Sequence, residues 1–168
     1  GGLLMPRTVT LEVSDQAGNR VWPATDARPA GKQVVTRGTA FIMTDMLAGN
    51  TDDRVNRYWA EWKILEKDVR RPAAYKTGTT SDNKDVHAYG YLAPPEDPAA
   101  PLLTVGVWMG NSDATQNKGS LSLDSSAPLW SAILTEISRG LPVAEFAKAD
   151  DIELDHVVID AHSGFLPG

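Results

Sequence analysis

The sequence contains no cysteine, which removes disulfides, thiolate metal sites and a cysteine nucleophile together and leaves the compartment open. No apolar run approaches the roughly 18 residues expected of a membrane-spanning helix. Basic residues are in the minority, 16 Lys and Arg against 22 Asp and Glu for a net charge of −6, and they form no basic stripe, which argues against a nucleic-acid partner. The deficit is uneven. Residues 1–140 hold 15 basic and 16 acidic side chains, whereas residues 141–168 hold 1 and 6, so a nearly neutral body is followed by an acidic tail. The opening Gly1-Gly2-Leu3-Leu4-Met5-Pro6 has neither an initiator Met nor the zones of a signal peptide, and the chain is expected to be a piece of something longer. What is present is a length of 168 residues with 42% hydrophobic side chains, enough for one core and incompatible with a collagen-like or wholly disordered chain.

Thr8-Val9-Thr10-Leu11-Glu12-Val13 alternates apolar and polar residues, the period of a half-buried strand. Asp15-Gln16-Ala17-Gly18-Asn19 is the expected turn and Arg20-Val21-Trp22 the returning strand, stopped by Pro23. This is read as a surface hairpin. Thr36 is placed as the N-cap of a helix in which Ala40, Ile42, Met43, Met46 and Leu47 recur at helical spacing up to Gly49, and that apolar face is assigned to the core. Residues 51–72 mix charge with Tyr58, Trp59, Trp62 and Leu65 and fit a short helix or an irregular packed loop equally well. Strands are expected over 73–79, 86–92 and 102–109. The stretch 94–101 is a loop, because four of its eight residues are Pro and lack an N–H donor. The middle of the chain thus reads as an antiparallel meander. After a polar connection, residues 127–139 form the clearest helix, with Pro128 in its first turn, Leu129, Trp130, Ile133, Leu134 and Ile137 on one side and Gly140 as its stop. It should pack on the sheet. The acidic tail has room for one further strand over 152–160.

His87, His156 and His162 have no partners at metal-ligand spacing and default to surface or packing positions. Asp150-Asp151-Ile152-Glu153 lacks the order of a calcium loop, so no metal and no cofactor is assigned. The five Trp residues are dispersed through the expected elements and are assigned to core packing rather than to a carbohydrate or nucleic-acid platform.

The run that carries chemistry is Ala73-Ala74-Tyr75-Lys76-Thr77-Gly78-Thr79-Thr80. In a strand, Lys76 and Gly78 point to the same face, and Gly78 has no Cβ, so a ligand can approach the backbone beside the ammonium. That suits an anionic ligand. The free N–H groups of an edge strand can bind an extended peptide by strand addition, and one of them can stabilise a developing oxyanion. Strict alternation sends the Thr77 and Thr79 hydroxyls to the other face, and only edge twist would bring them round. The plain alternative is a solvent-facing Lys beside a bulge-forming Gly.

The longer run Arg71-Pro72-Ala73-Ala74-Tyr75-Lys76-Thr77-Gly78-Thr79-Thr80-Ser81-Asp82-Asn83-Lys84-Asp85 is followed by Gly90-Tyr91, Val105-Gly106-Val107-Trp108-Met109-Gly110-Asn111 and Ala127-Pro128-Leu129-Trp130. In this order they resemble the C-terminal half of the transpeptidase domain of bifunctional class A penicillin-binding proteins, and the resemblance reaches upstream through Thr39-Ala40-Phe41-Ile42-Met43-Thr44-Asp45-Met46-Leu47 to Gly1-Gly2. It implies an α+β fold, an antiparallel sheet packed by helices, as the C-terminal portion of a transpeptidase (serine β-lactamase-like) fold lacking the upstream helical subdomain. Residues 1–140 would belong to that domain and residues 141–168 to an acidic exit segment or linker. The implied activity is peptidoglycan cross-linking through a serine acyl-enzyme that penicillins also form. By the same resemblance, Lys76 supports the proton network and the electrostatics, Thr77 and Thr79 hydrogen-bond the substrate carboxylate, the Thr79 N–H helps form the oxyanion hole, and Gly78 leaves room for the peptide. The implied partners are stem peptides, β-lactams and the upstream half of the domain. The implied location is the outer face of the cytoplasmic membrane, extracytoplasmic or periplasmic, held by an N-terminal helix that this sequence does not contain.

The family uses three motifs in order, S-x-x-K, S-x-N and K-T-G, and only the last has a credible position here. Ser81-Asp82-Asn83-Lys84 spells both others at once, but it follows Lys-Thr-Gly within one short connection, and one Ser cannot hold two separately placed roles. Residues 81–85 are read as the turn between two strands, with Asp85 a structural anchor. The sequence is therefore expected to lack the nucleophile and to be inactive alone. The competing reading is a degenerate, non-catalytic transpeptidase-fold module that binds cell-wall peptide or partner proteins. A serine β-lactamase shares Lys-Thr-Gly but fits the Gly-Val-Trp-Met-Gly-Asn and Ala-Pro-Leu-Trp runs less well.

Overall fold

The computed structural model describes residues 1–7, 9–10, 12–22, 30–97, 100–119, 121–153 and 155–166. The chain divides into two compact units, Gly1–Ala40 with Ala149–Gly168, and Phe41–Lys148. The first unit holds two short antiparallel pairs, β1 (Leu3–Leu4) with β4 (Lys32–Gln33) and β2 (Val13–Ser14) with β3 (Arg20–Trp22). The expected hairpin is present but shorter. Val13 faces Trp22, while Thr8, Leu11 and Pro23 lie outside the described residues. Its turn closes because the Asp15 carboxylate accepts the N–H groups of Ala17 and Asn19 at 2.9 and 2.8 Å, an Asx turn. The strand expected over 152–160 is absent among the described residues. There the Asp160 carboxylate instead accepts from the N–H groups of His162 and Ser163 at 3.1 and 2.7 Å, and these short-range bonds compete with any ladder.

The helix α1 (Arg37–Ala48) starts where expected, with the Thr36 hydroxyl accepting the Thr39 N–H at 3.1 Å. Its apolar stripe corrects the sequence reading. Ile42, Met43 and Met46 are exposed, since no described element packs over them. A 3₁₀ turn (Gly49–Thr51), an irregular stretch and a second turn (Ala60–Trp62) lead to the hairpin β5 (Ile64–Glu66) and β6 (Val69–Arg71). The spacing of residues 51–72 concealed that hairpin. Its tight turn carries Lys67 and Asp68 at φ 47° and 68°, the pair of left-handed residues that a two-residue I′ connection demands.

The centre of the second unit is the meander β7 (Ala73–Thr79), β8 (Asp85–Leu92) and β9 (Thr104–Gly110), antiparallel throughout and in the order β7-β8-β9. The first strand coincides with the expected residues, and the others differ by one or two positions at their ends. Lys76 pairs with Tyr89 and Gly78 with His87. Residues 94–97 run as an irregular loop, as expected from the prolines, with 98 and 99 outside the described residues. The helix α2 (Ser126–Ile137) covers one face of the sheet. It ends before Gly140, whose φ of 76° supplies the left-handed stop. Tyr75, Ala88, Val107, Trp130 and Leu134 form the core with Ile64 and Leu92. The Trp130 ring fits because Gly90 has no side chain: a Cβ there would lie 2.5 Å from Trp130 Cζ2.

Two observations extend this packing. Arg71 is 3% exposed, and its guanidinium donates to the carbonyls of Ser138, Leu141 and Pro142 at 3.2, 2.7 and 2.7 Å. It thereby satisfies acceptors left at the end of α2 and fixes the start of the segment that leaves it. The five Trp residues do not share one fate, which corrects their common assignment to the core. Trp130 is fully buried, Trp59 and Trp62 only partly, and Trp22 and Trp108 are more than half exposed.

Candidate functional site

Alternation along β7 sorts its side chains by face. Tyr75 and Thr77 turn toward α2, and Lys76 and Gly78 turn to the opposite face, where their cross-strand partners Tyr89 and His87 also lie. The same alternation sorts the backbone. The N–H and C=O groups of odd-numbered residues point to the edge that β8 leaves free. Two of those carbonyls are already bound by side chains: Thr51 Oγ1 donates to Ala73 O at 2.9 Å, and Asn50 Nδ2 donates to Tyr75 O at 2.9 Å. The third, on Thr77, accepts from the ammonium of Lys76 at 2.6 Å. Open at the far end of the edge are the N–H groups of Thr77 and Thr79 and the carbonyl of Thr79. The first half of the strand is thus covered by the 50–51 segment, and its second half, the Lys-Thr-Gly-Thr half, is open.

Lys76 is exposed, but it does not extend into solvent. Its Nζ lies 4.7 Å from the ring centroid of Trp59, a cation–π distance. Among the described residues no carboxylate pairs with it. Thr77 is 5% exposed, so its backbone, not its hydroxyl, is what it offers at the edge. The Thr79 hydroxyl donates to Ser122 Oγ at 3.1 Å, on the side that alternation requires, and no edge twist brings either hydroxyl to the face of Lys76. The space beside Gly78 is taken by His87, whose Cδ2 would lie 2.7 Å from a Cβ at that position. The imidazole Nδ1 of His87 is buried there without a hydrogen-bond partner among the described residues.

Beyond the strand, Ser81–Asn83 form a 3₁₀ turn with Asp82 and Asn83 at φ 67° and 52°. This is the tight connection expected of them. Among the described residues the Ser81 hydroxyl makes no hydrogen bond, so no base is aligned on it. Asp85 anchors the turn as expected: its N–H donates to Thr80 Oγ1 at 2.9 Å, and its carboxylate accepts from Trp108 Nε1 at 3.1 Å. A polar cavity of about 440 Å³ opens beside this turn, between Asp82, Asn83 and the loop from Gln116 to Gly119.

Two titrating groups flank the edge. Burial pushes the Tyr75 phenol well above its usual range, and its O–H donates to Trp59 O at 3.0 Å. Hydrogen bonds from Arg54, with the charge of Arg70 nearby, hold the Asp52 carboxyl well below the usual carboxylate range. Among the described residues no cluster of three or more His, Asp or Glu is placed to hold a metal ion, and no helix is long and apolar enough to cross a membrane.

No family model and no curated protein matches this sequence. The functional reading of the chain therefore rests on its residues and their geometry. The sequence located Lys76, Thr77, Gly78 and Thr79 on one strand, and that strand is an edge. It missed Asn50, Thr51 and Trp59, which define where the edge is closed and where the ammonium sits. Only their composition could have flagged them, because residues 51–72 carry no period that places one side chain beside another.

Proposed function

We propose that this chain is the C-terminal part of the transpeptidase domain of a penicillin-binding protein, and that the Lys76-Thr77-Gly78-Thr79 strand lines its stem-peptide site. The half-open edge of β7 carries the reading. Side chains already occupy the carbonyls of Ala73, Tyr75 and Thr77, so at its open end the edge offers a peptide two donors, the N–H groups of Thr77 and Thr79, one acceptor, the Thr79 carbonyl, and an unneutralised ammonium beside them. Such an edge suits the carboxylate end of a peptide better than a strand that runs past it.

In the proposed reaction, a serine from the upstream half attacks the carbonyl of the penultimate residue of the stem peptide. The C–N bond breaks, the terminal amino acid leaves with a proton on its nitrogen, and an ester forms on the serine. An amine from a neighbouring strand then attacks the ester, forming the cross-linking amide and returning the serine its proton. Lys76 contributes charge and proton mobility, and the Thr79 N–H donates to the oxyanion. The Thr77 N–H and the Lys76 ammonium hold the carboxylate, and the Thr79 hydroxyl, which bonds Ser122 here, would have to leave that partner to join them. A β-lactam would acylate the same serine. The upstream half would cover the bare face of the sheet and supply its missing strands, and the whole protein would work at the outer face of the cytoplasmic membrane, anchored by an upstream helix. The antiparallel β7-β8-β9 sheet under α2 is an α+β arrangement, as that reading requires.

Fluorescent penicillin tests the reading. The 168-residue chain should take up no covalent label, and labelling at Ser81 would overturn the assignment. In the longer protein that carries a Ser-x-x-Lys segment, the label should appear, and Lys76→Ala should slow acylation at least about a hundredfold. Unchanged acylation would refute the role given to Lys76. A non-catalytic peptide-binding module is the second reading, favoured by the absence, among the described residues, of a hydroxyl aligned on Lys76. It requires a full gene product without Ser-x-x-Lys that still binds stem peptide.

A further inference from the structure

We infer that Trp59 is the positioning residue for Lys76, holding its ammonium at the open end of β7. The inference rests on the role proposed for Lys76 and deepens it. A lysine on an exposed edge has a long, flexible stem and would spread its charge over many rotamers. Here the charge is confined between the Trp59 ring at 4.7 Å and the Thr77 carbonyl at 2.6 Å. The ring is itself held. Tyr58 packs against it edge-on at 6.3 Å, Tyr75 edge-on at 6.2 Å, and Tyr75 in turn stacks on the buried Trp130 at 4.5 Å. Trp59 is therefore held between Tyr58 and Tyr75 in a ladder of rings that starts in the core. Its backbone is tied to the same strand, through its carbonyl to the Tyr75 hydroxyl and through Asn56 to Asn50, whose amide caps Tyr75 O.

The choice of partner has a chemical consequence. A carboxylate beside Lys76 would fix the ammonium but neutralise it, and an anionic ligand would have to compete with it. An indole face fixes the cation while leaving its charge available. Trp59 thus suits a lysine that must meet the carboxylate of a peptide or lactam and must also move a short distance from the Thr77 carbonyl when that ligand arrives.

Reductive ¹³C-methylation of the lysines of this chain, read by NMR with Lys76→Arg for assignment, tests the placement without any activity. The Lys76 methyl signal should lie upfield of the other lysines through the ring current of Trp59. It should move part of the way back in Trp59→Phe and all the way in Trp59→Leu, with the Val107 and Leu134 methyl signals unchanged. A Lys76 signal that coincides with the exposed lysines in the parent chain, or that stays in place in Trp59→Leu, would overturn the inference. Should the Leu variant unfold, an unmoved signal in Trp59→Phe would do the same. In the longer protein with its Ser-x-x-Lys, Trp59→Leu should slow penicillin acylation about tenfold, with Phe restoring part of it; a parent rate in Trp59→Leu would reject the functional half. A longer parent protein that takes up no penicillin would defeat the transpeptidase reading and leave the NMR result to decide Trp59.

Discussion

The two faces of the β7-β8-β9 sheet are built from the same three strands and differ in almost everything else. On the face under α2, Tyr75, Ala88, Val107 and Trp130 are buried, and the Trp130 ring obtains its extra space from Gly90. On the other, Tyr89 is 54% exposed and Trp108 56%, and His87 lies over Gly78. One face shows the side-chain interdigitation of a protein interior. The other carries rings that lean over glycines and a cation at its rim. Stability and ligand chemistry are therefore expected to separate by face, and substitutions can test that separation directly.

The largest effect should come from Trp130→Ala. It removes a fully buried ring stacked on Tyr75 and leaves a cavity under α2, a change that costs about 3–5 kcal/mol. Trp108→Ala deletes the same kind of side chain from β9 on the opposite face, at a position half in water, and should cost less than about 1 kcal/mol. Urea unfolding of the two variants side by side checks the contrast. Equal losses would mean that the second face is covered as well as the first.

A smaller effect is expected where the two faces differ in the use of glycine. A methyl at Gly78 would meet the His87 ring at 2.7 Å, so Gly78→Ala should cost about 1–3 kcal/mol through overpacking. The cause is a side chain rather than backbone, and His87→Ala should therefore relieve it. The double variant should be more stable than Gly78→Ala alone, with a coupling above about 0.5 kcal/mol in a double-mutant cycle. Strict additivity would show that Gly78 is needed for its backbone and not for room.

How much of this was legible beforehand follows from which interactions are local. The meander and α2 were readable because alternation, the prolines of 94–101 and the Gly140 stop are each encoded within a few residues. The turn at 81–85 and the Thr36 cap were readable for the same reason. The β5–β6 hairpin was not, because Lys67-Asp68 is an unusual pair for two left-handed residues, and Gly or Asn would have announced it. The candidate site was half legible. Lys76 and Gly78 sharing one face follows from strand periodicity alone. That Asn50 and Thr51 close one end of the edge, that His87 takes the space at Gly78 and that Trp59 receives the ammonium are contacts across 9 to 25 residues of sequence, and no local pattern encodes them. The exposed stripe of α1 was misassigned because periodicity reports an amphipathic face without saying whether anything covers it.

The smallest effect concerns the flank between the two faces, where the 50–59 segment lies along β7. Asp52 accepts from the N–H and the guanidinium of Arg54 at 3.0 and 2.9 Å and lies 3.4 Å from Arg70. Its carboxyl is held below its ordinary pKa. A carboxylate whose pKa is depressed by folding contributes stability above its unfolded value, near 4, and that contribution is lost as pH falls toward the folded value. The chain should therefore lose part of its stability between pH 7 and pH 3, and Asp52→Asn, which cannot titrate, should narrow the difference between the urea midpoints at those two pH values. The loss should be felt at the flank first: Trp59 should become more accessible to a fluorescence quencher at pH 3, while the buried Trp130 does not. If both tryptophans opened together, the flank and the core would form one cooperative unit, and the covered half of the β7 edge would be as durable as the face beneath α2.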